Sequence, residues 1–278
     1  MLSDGGAPVE IVESFTASKY KDAHANEDAL VLTDNFFGVI DGATDISGAL
    51  ACGESPGRFA ARTAARAFDT LTDIENAEDV LDRLTAAMKT AREENGIPSD
   101  IRPFCVFAVY IASLQKIIRV GDIQVFVNGQ EIPGRIPAVD ALIQARCAIL
   151  HSHLAAGKTV EELHRNDPSE KLHRLFASGA TLVNREDIPY GFGALDGRPV
   201  PKRFIDIIAV PPGAEIIITS DGYPAVKSSL AESEASLAEI LQNDPLLIGD
   251  YPQPRAAIPQ DKGYGYDDRS WLKILCRA

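Results

Sequence analysis

No stretch of this sequence holds the ~20 consecutive apolar residues that a bilayer-spanning helix needs, and the N-terminus, MLSDGGAPVE, has neither a basic start nor an apolar segment. A membrane protein and a secretory leader are therefore not expected, and the cytoplasm is the default location. Paired cysteines are missing too. The four cysteines, Cys52, Cys105, Cys147 and Cys276, are scattered without a C-x-x-C, which argues against a disulfide framework or a zinc knot. Cys105 and Cys276 lie in apolar runs and read as buried free thiols. Basic residues are few: 27 against 40 acidic ones, a formal net charge of −13. That argues against a nucleic-acid or anionic-membrane partner, which would need a basic stripe. It suits hard divalent cations, provided some carboxylates cluster. No internal repeat or low-complexity tract stands out.

What is present is enough apolar residue, 45% of 278, for one sizeable core. Strands are expected at Val9–Phe15, Asp28–Thr33 and Phe36–Ile40, the last two joined through Asp34-Asn35. An amphipathic helix follows from about Gly57. A second starts at the N-cap Asn76 and stops at Gly96; the two should pack as an antiparallel pair on one sheet face. Phe104–Ala112 is almost continuously apolar, as in a central strand covered on both faces. Lys116–Val120 and Ile123–Val127 read as a meander through Gly121-Asp122, with a short further piece after Asn128-Gly129. Lys116 and Arg119 read as solvent-facing. Helices are expected over Ala138–Ala156 and Val160–Ala177, and a strand at Ala180–Asn184. Arg203–Val210 and Ala214–Ser220 read as a strand pair around Pro211-Pro212-Gly213. A helix at Ser233–Gln242, an irregular loop at Asp244–Gly263 and a strand at Trp271–Cys276 complete the chain. Strands joined by short turns, interrupted by paired helices, indicate an α+β protein with antiparallel sheets in one domain over 1–278, with a helical segment at about 131–178.

The chemistry resides in acidic residues mounted at strand ends. Asn26-Glu27-Asp28 opens one strand and Asp41-Gly42 closes the next. Gly121-Asp122 sits between two more, Ser220-Asp221-Gly222 closes the isoleucine-rich strand, and Asp267-Asp268 opens the last. If they converge, like charges raise one another's pKa, and a hard cation is their natural counter-ion. The set has no His or Cys, so Mg²⁺ or Mn²⁺ fits better than zinc. Such ions activate water and neutralise phosphoryl oxygens, the requirements of phosphate-ester hydrolysis.

The series NED (26–28), FFGVIDGATD (36–45), GDIQVFVNG (121–129), IIITSDGYPAV (216–226) and YDDRSWLKI (266–274) resembles the motif series of the protein phosphatase 2C family, the metal-dependent Ser/Thr phosphatases. The resemblance implies an α-β-β-α sandwich of two antiparallel β-sheets flanked by pairs of helices. It implies two Mn²⁺ or Mg²⁺ ions and a phosphorylated protein or small phosphoester as substrate. By resemblance, Asp41 bridges the ions, the Gly42 carbonyl and Glu27 serve one, and Asp221 and Asp268 hold the other. Asp28 supports them from behind, and Asp122 matches a third, weaker metal site.

The chain also departs from the family pattern. Where the family carries a phosphate-clamping Arg, this chain has Ala23; Lys19, Lys21, His24 and Arg58 are candidates to replace it. Asp-Gly-Ala-Thr stands where many members read Asp-Gly-His-Gly, and the helical segment at 131–178 stands in place of the usual flap. The expected activity is phosphomonoester hydrolysis by a metal-bridging hydroxide; the alternative is a weakly catalytic, metal-binding regulatory domain. Gly53-Glu54-Ser55-Pro56-Gly57 fits the G-x-S-x-G of a hydrolase nucleophile elbow, but no apolar strand precedes it. It is expected instead to cap the helix from Gly57.

Overall fold

In the computed structural model, residues 9–44, 48–172 and 180–277 are described. Among the described residues, ten strands form two five-stranded sheets. One sheet has the order β1 (Val9–Ala17), β10 (Arg269–Cys276), β9 (Glu215–Thr219), β6 (Gln124–Val127), β7 (Gln130–Ile132). The other runs β2 (Asp28–Leu32), β3 (Phe36–Gly42), β4 (Cys105–Ile111), β5 (Lys116–Val120), β8 (Ile205–Ala209). Every pairing is antiparallel.

Strand periodicity divides the core. In β4, Val106, Ala108 and Tyr110 face the other sheet, where they meet Ile216, Ile218, Leu272 and Ile274. Phe107, Val109 and Ile111 point the opposite way, into a layer with helices α1 (Pro56–Phe68) and α2 (Ala77–Glu94). Both faces of β4 are thus buried, as its apolar run requires. Ser55 caps α1, its hydroxyl accepting the Arg58 N–H, and Asn76 caps α2 by accepting from Asp79; each cap contributes about 1 kcal/mol. On the outer face of the other sheet, Ile217 and Trp271 pack with Tyr223 and with Leu237 of α5 (Leu230–Asn243). Helix α3 (Pro137–Ala155) joins this side through Leu150, which meets Leu163 of α4 (Val160–Arg165), Leu246 and Ile248.

The structure corrects several expectations. Helix α4 stops at Arg165, because Asp167 precedes Pro168 and the residue before proline avoids helical backbone. After a break at 166–169 the chain is helical again over 170–172, and the rest of the expected helix, residues 173–177, lies outside the described residues. Around Ala180–Asn184 there is a single bridge, Val183 with Phe192. β8 and β9 do not pair: β8 joins β5 and β9 joins β6 and β10, so Pro211-Pro212-Gly213 carries the chain from one sheet to the other. Gly121-Asp122 does the same between β5 and β6, aided by the positive φ of Gly121, 95°, a region glycine enters without steric cost. Arg119, expected in solvent, is buried. Cys105 and Cys276 are buried free thiols, as expected, and Cys52 is exposed.

Candidate active site

Antiparallel pairing decides where the carboxylates go. β2 begins where β3 ends, and the register sets Asp28 opposite Asp41. β9 ends beside the start of both β10 and β6, with Thr219 paired to Trp271 and Gln124. The sheet-to-sheet crossing at Gly121-Asp122 lies at the same end. The Asn26–Asp28, Asp41-Gly42, Asp122, Asp221 and Asp267-Asp268 stations therefore share one end of the sandwich.

Serine hydroxyls and backbone lock this end. The Ser220 hydroxyl donates to Asp28 Oδ2 at 2.7 Å and accepts the Ser270 N–H at 2.9 Å, stitching the two sheets together. Asp28 Oδ1 is buried without a partner. The Gly42 N–H donates to the Glu27 carbonyl at 3.1 Å. A Cβ on Gly42 would stand 2.2 Å from the Gly57 carbonyl oxygen and 2.6 Å from that of Glu27; only glycine allows the start of α1 to approach so closely. Ser55, beyond capping α1, donates to Glu27 Oε1 at 2.6 Å. Its hydroxyl has structural work here, and the nucleophile-elbow reading is set aside.

Asp268 and Asp267 share the Lys19 ammonium and otherwise have different partners. The Asp268 carboxylate accepts the backbone N–H groups of Lys19 (2.8 Å) and Glu27 (3.0 Å), so it ties strand starts together. Asp267 lies in the field of Asp41 and Asp221. Three cations are also present. Lys19, buried, places Nζ 2.7 Å from Asp267 Oδ1, 3.3 Å from Asp268 Oδ2 and 3.4 Å from Glu27 Oε2. Arg255, on the long loop after α5, lies 3.5 Å from Asp267 Oδ2. Arg58 is spent on structure, bonding the Asn26 carbonyl at 2.7 Å and Glu54 at 3.1 Å. Lys21 and His24 are exposed. Ala23 and His24 lie in a short 3-10 turn, capped by the Asp22 side chain.

The electrostatics follow from these contacts. Burial first, then Asp28, Asp221, Asp267 and Asp122, lift the Asp41 carboxyl well above its usual range. Burial, Asp267, Asp122 and Asp28 do the same to Asp221, against Arg255. Asp28 is pushed up to about 7, by burial and then Asp268, despite the hydrogen bond from Ser220. Asp122 is pushed up to about 6, mainly by burial. Burial also raises Asp267, but Arg255 and Lys19 outweigh it and hold that carboxyl below its ordinary value. Asp41, Asp122 and Asp221 are half-buried, so the repelling group opens to solvent.

The donor set suits a hard divalent cation: half-buried carboxylates that repel one another and a buried carboxylate oxygen without a partner. Among the described residues, no three His, Cys, Asp or Glu side chains stand close enough, as placed, to share an ion.

Comparison with solved structures assigns the fold. The Mycobacterium tuberculosis serine/threonine phosphatase PstP/Ppp aligns over 97% of this chain and 99% of its own, with a TM-score of 0.52 and 15% identity. The fold is that of the protein phosphatase 2C family. The catalytic domain of serine/threonine protein phosphatase PstP in complex with two manganese ions aligns over 98% of this chain and 99% of its own (TM-score 0.52, 14% identity). A bacterial serine phosphatase bearing a single arginine-to-alanine mutation aligns over 98% and 100% (TM-score 0.51, 11% identity). No protein-family model matches the sequence, and no curated protein matches it. On this phosphatase 2C fold, sequence reasoning missed Lys19 as a partner of the acidic residues, along with Arg255, and it gave the metal role to Asp268 rather than Asp267. The YDD motif offered Asp267 and Asp268 equally; only the backbone contacts separate them.

Proposed function

We propose that this protein is a divalent-metal-dependent phosphatase hydrolysing phosphomonoesters, with phospho-Ser/Thr in proteins as its substrate class. The observation that carries the reading is the gathering of mutually repelling carboxylates, Asp28, Asp41, Asp122, Asp221 and Asp267, at one solvent-open end of a phosphatase 2C sandwich. The PstP catalytic domain of the same fold carries two manganese ions, which supports divalent metal here. Asp41, the Gly42 carbonyl and Asp221 would hold the metal, with Asp28 behind them and Glu27 and Asp267 alongside. A bound divalent cation lowers the pKa of water and neutralises phosphoryl oxygens.

The chain's own groups do the rest. Ser220, itself held by the Ser270 N–H, fixes Asp28, and Asp28 in turn faces Asp41 across the β2–β3 ladder. Ser55 fixes Glu27. The Tyr266 hydroxyl donates to the Asp221 carbonyl, holding the turn that presents that carboxylate. Arg255, beside Asp267 and partly exposed, supplies the guanidinium that Ala23 cannot, orienting the substrate phosphate.

The test is hydrolysis of p-nitrophenyl phosphate and of a phosphothreonine peptide with Mn²⁺. EDTA should abolish turnover, and Asp41→Asn and Asp221→Asn should each lower kcat by on the order of 10²-fold or more. Turnover that survives EDTA and both substitutions refutes the proposal. Mn²⁺ binding without turnover supports the regulatory alternative instead.

A further inference from the structure

Lys19 has the surroundings of a bound cation. It is 1% exposed, and its ammonium faces Asp267 Oδ1 (2.7 Å), Thr44 Oγ1 (2.9 Å), Asp268 Oδ2 (3.3 Å) and Glu27 Oε2 (3.4 Å). Three carboxylates and a hydroxyl face this one ammonium at ion-pair and hydrogen-bond distances, longer than the roughly 2.0–2.6 Å of direct metal ligation. The ammonium supplies the positive charge that a metal ion would otherwise bring to these carboxylates. The backbone prevents its withdrawal: the Lys19 N–H is bonded to Asp268 Oδ1 at 2.8 Å, and its carbonyl accepts the Tyr264 N–H at 2.9 Å. A dication on Glu27 and Asp267 would stand against a fixed positive charge with almost no water to screen it.

The other half of the acidic group differs. Among the described residues, none of Asp28, Asp41, Asp122 and Asp221 makes an ion pair within 4.0 Å, and the partnerless Oδ1 of Asp28, itself nine-tenths buried, lies on this side. We infer that Lys19 is a built-in replacement for one of the metal ions, and that the chain accepts a single divalent cation, on the side of Asp41 and Asp221. The PstP catalytic domain, by contrast, holds two manganese ions. The inference rests on the metal-dependent reading above and deepens it: the second positive charge of the site comes from the chain.

The test counts ions rather than turnover. Mn²⁺ is titrated into metal-free protein, followed by calorimetry and by loss of the free-ion EPR signal. The wild type should take up one equivalent. Lys19→Met, which keeps the length and removes the charge, should take up a second, and Lys19→Arg should stay at one. Lys19→Met should also gain more thermal stability from Mn²⁺ than the wild type does, because the ion then neutralises Glu27 and Asp267. Two equivalents of similar affinity in the wild type, or no gain in folded Lys19→Met, overturns the inference. If Lys19→Met does not fold, the wild-type stoichiometry decides alone. Failure of all three proteins to bind Mn²⁺ overturns the metal reading and this inference with it. One equivalent without phosphatase activity leaves the inference standing and removes the catalytic reading.

Discussion

Adjacent residues in this chain do different work, and Asp267 with Asp268 is the clearest case. Both open β10, yet Asp268 accepts two backbone N–H groups while Asp267 meets Lys19 and Arg255. Sequence spacing could bring the acidic motif to the site but could not say which carboxylate turns inward, because strand starts fix side-chain direction only once the neighbouring backbone is placed. The same limit hid Arg255, which sits in an irregular loop with no periodicity to read. Its side chain is about a quarter exposed, at 26%, which leaves it open to solvent-borne phosphate. A charged hydrogen bond of this kind is worth about 1.5–3 kcal/mol, or roughly 10- to 100-fold in kcat/KM. Arg255→Ala should therefore raise KM for p-nitrophenyl phosphate more than it lowers kcat. Arg255→Lys should recover only part of the loss, since a lysine cannot form the bidentate fork. Unchanged steady-state kinetics in Arg255→Ala would remove it from the phosphate-binding role.

At the scale of elements, local signals are legible in the sequence and pairings are not. The helix caps at Ser55 and Asn76, the doubly covered β4 and the Asn128-Gly129 turn follow from residue chemistry that needs no distant partner. The links at Gly121-Asp122 and at Pro211-Pro212-Gly213 look like hairpin turns, and whether such a link pairs its strands or changes sheet depends on packing far away in sequence. Arg119 escapes a sequence reading for the same reason. On β5 both faces are covered, so an arginine there must be buried. Its guanidinium bonds Asp206 Oδ2 at 2.7 Å and the carbonyls of Ile132 and Pro133 at 2.6 and 2.8 Å, tying β5 and β8 of one sheet to the end of β7 in the other. Replacing it with methionine preserves bulk but leaves those carbonyls without their donor. Asp206 is half exposed, at 52%, and can be hydrated, so the expected loss is about 2–4 kcal/mol. Urea unfolding of Arg119→Met measures it; a midpoint shift equivalent to less than about 0.5 kcal/mol, the level of an ordinary surface substitution, would show that the tie is dispensable.

For the molecule as a whole, the acidic end should make stability depend on pH in a direction opposite to that of a protein held by ordinary salt bridges. Asp28 is raised to about 7 and Asp122 to about 6, and Asp41 and Asp221 are raised well above their usual values. In the unfolded chain these carboxyls lose their protons near pH 4. Between about pH 4 and 7 the folded protein therefore binds more protons than the unfolded one, and stability falls as pH rises. For Asp28, buried and lifted from 3.8 to about 7, the full contribution is up to about 4 kcal/mol. Asp267, held low by Arg255 and Lys19, works in the other sense, but only below about pH 4, outside this window. In EDTA, the melting temperature should drop between pH 5 and pH 7.5, and Asp28→Asn should drop less over the same interval. A divalent cation that binds the folded state alone adds stability that grows with its concentration, and it binds best to ionised carboxylates. Saturating Mn²⁺ should accordingly raise the melting temperature more at pH 7.5 than at pH 5. A metal-free melting temperature that rises steadily from pH 5 to 7.5 would mean that these carboxylates do not repel one another in the folded protein.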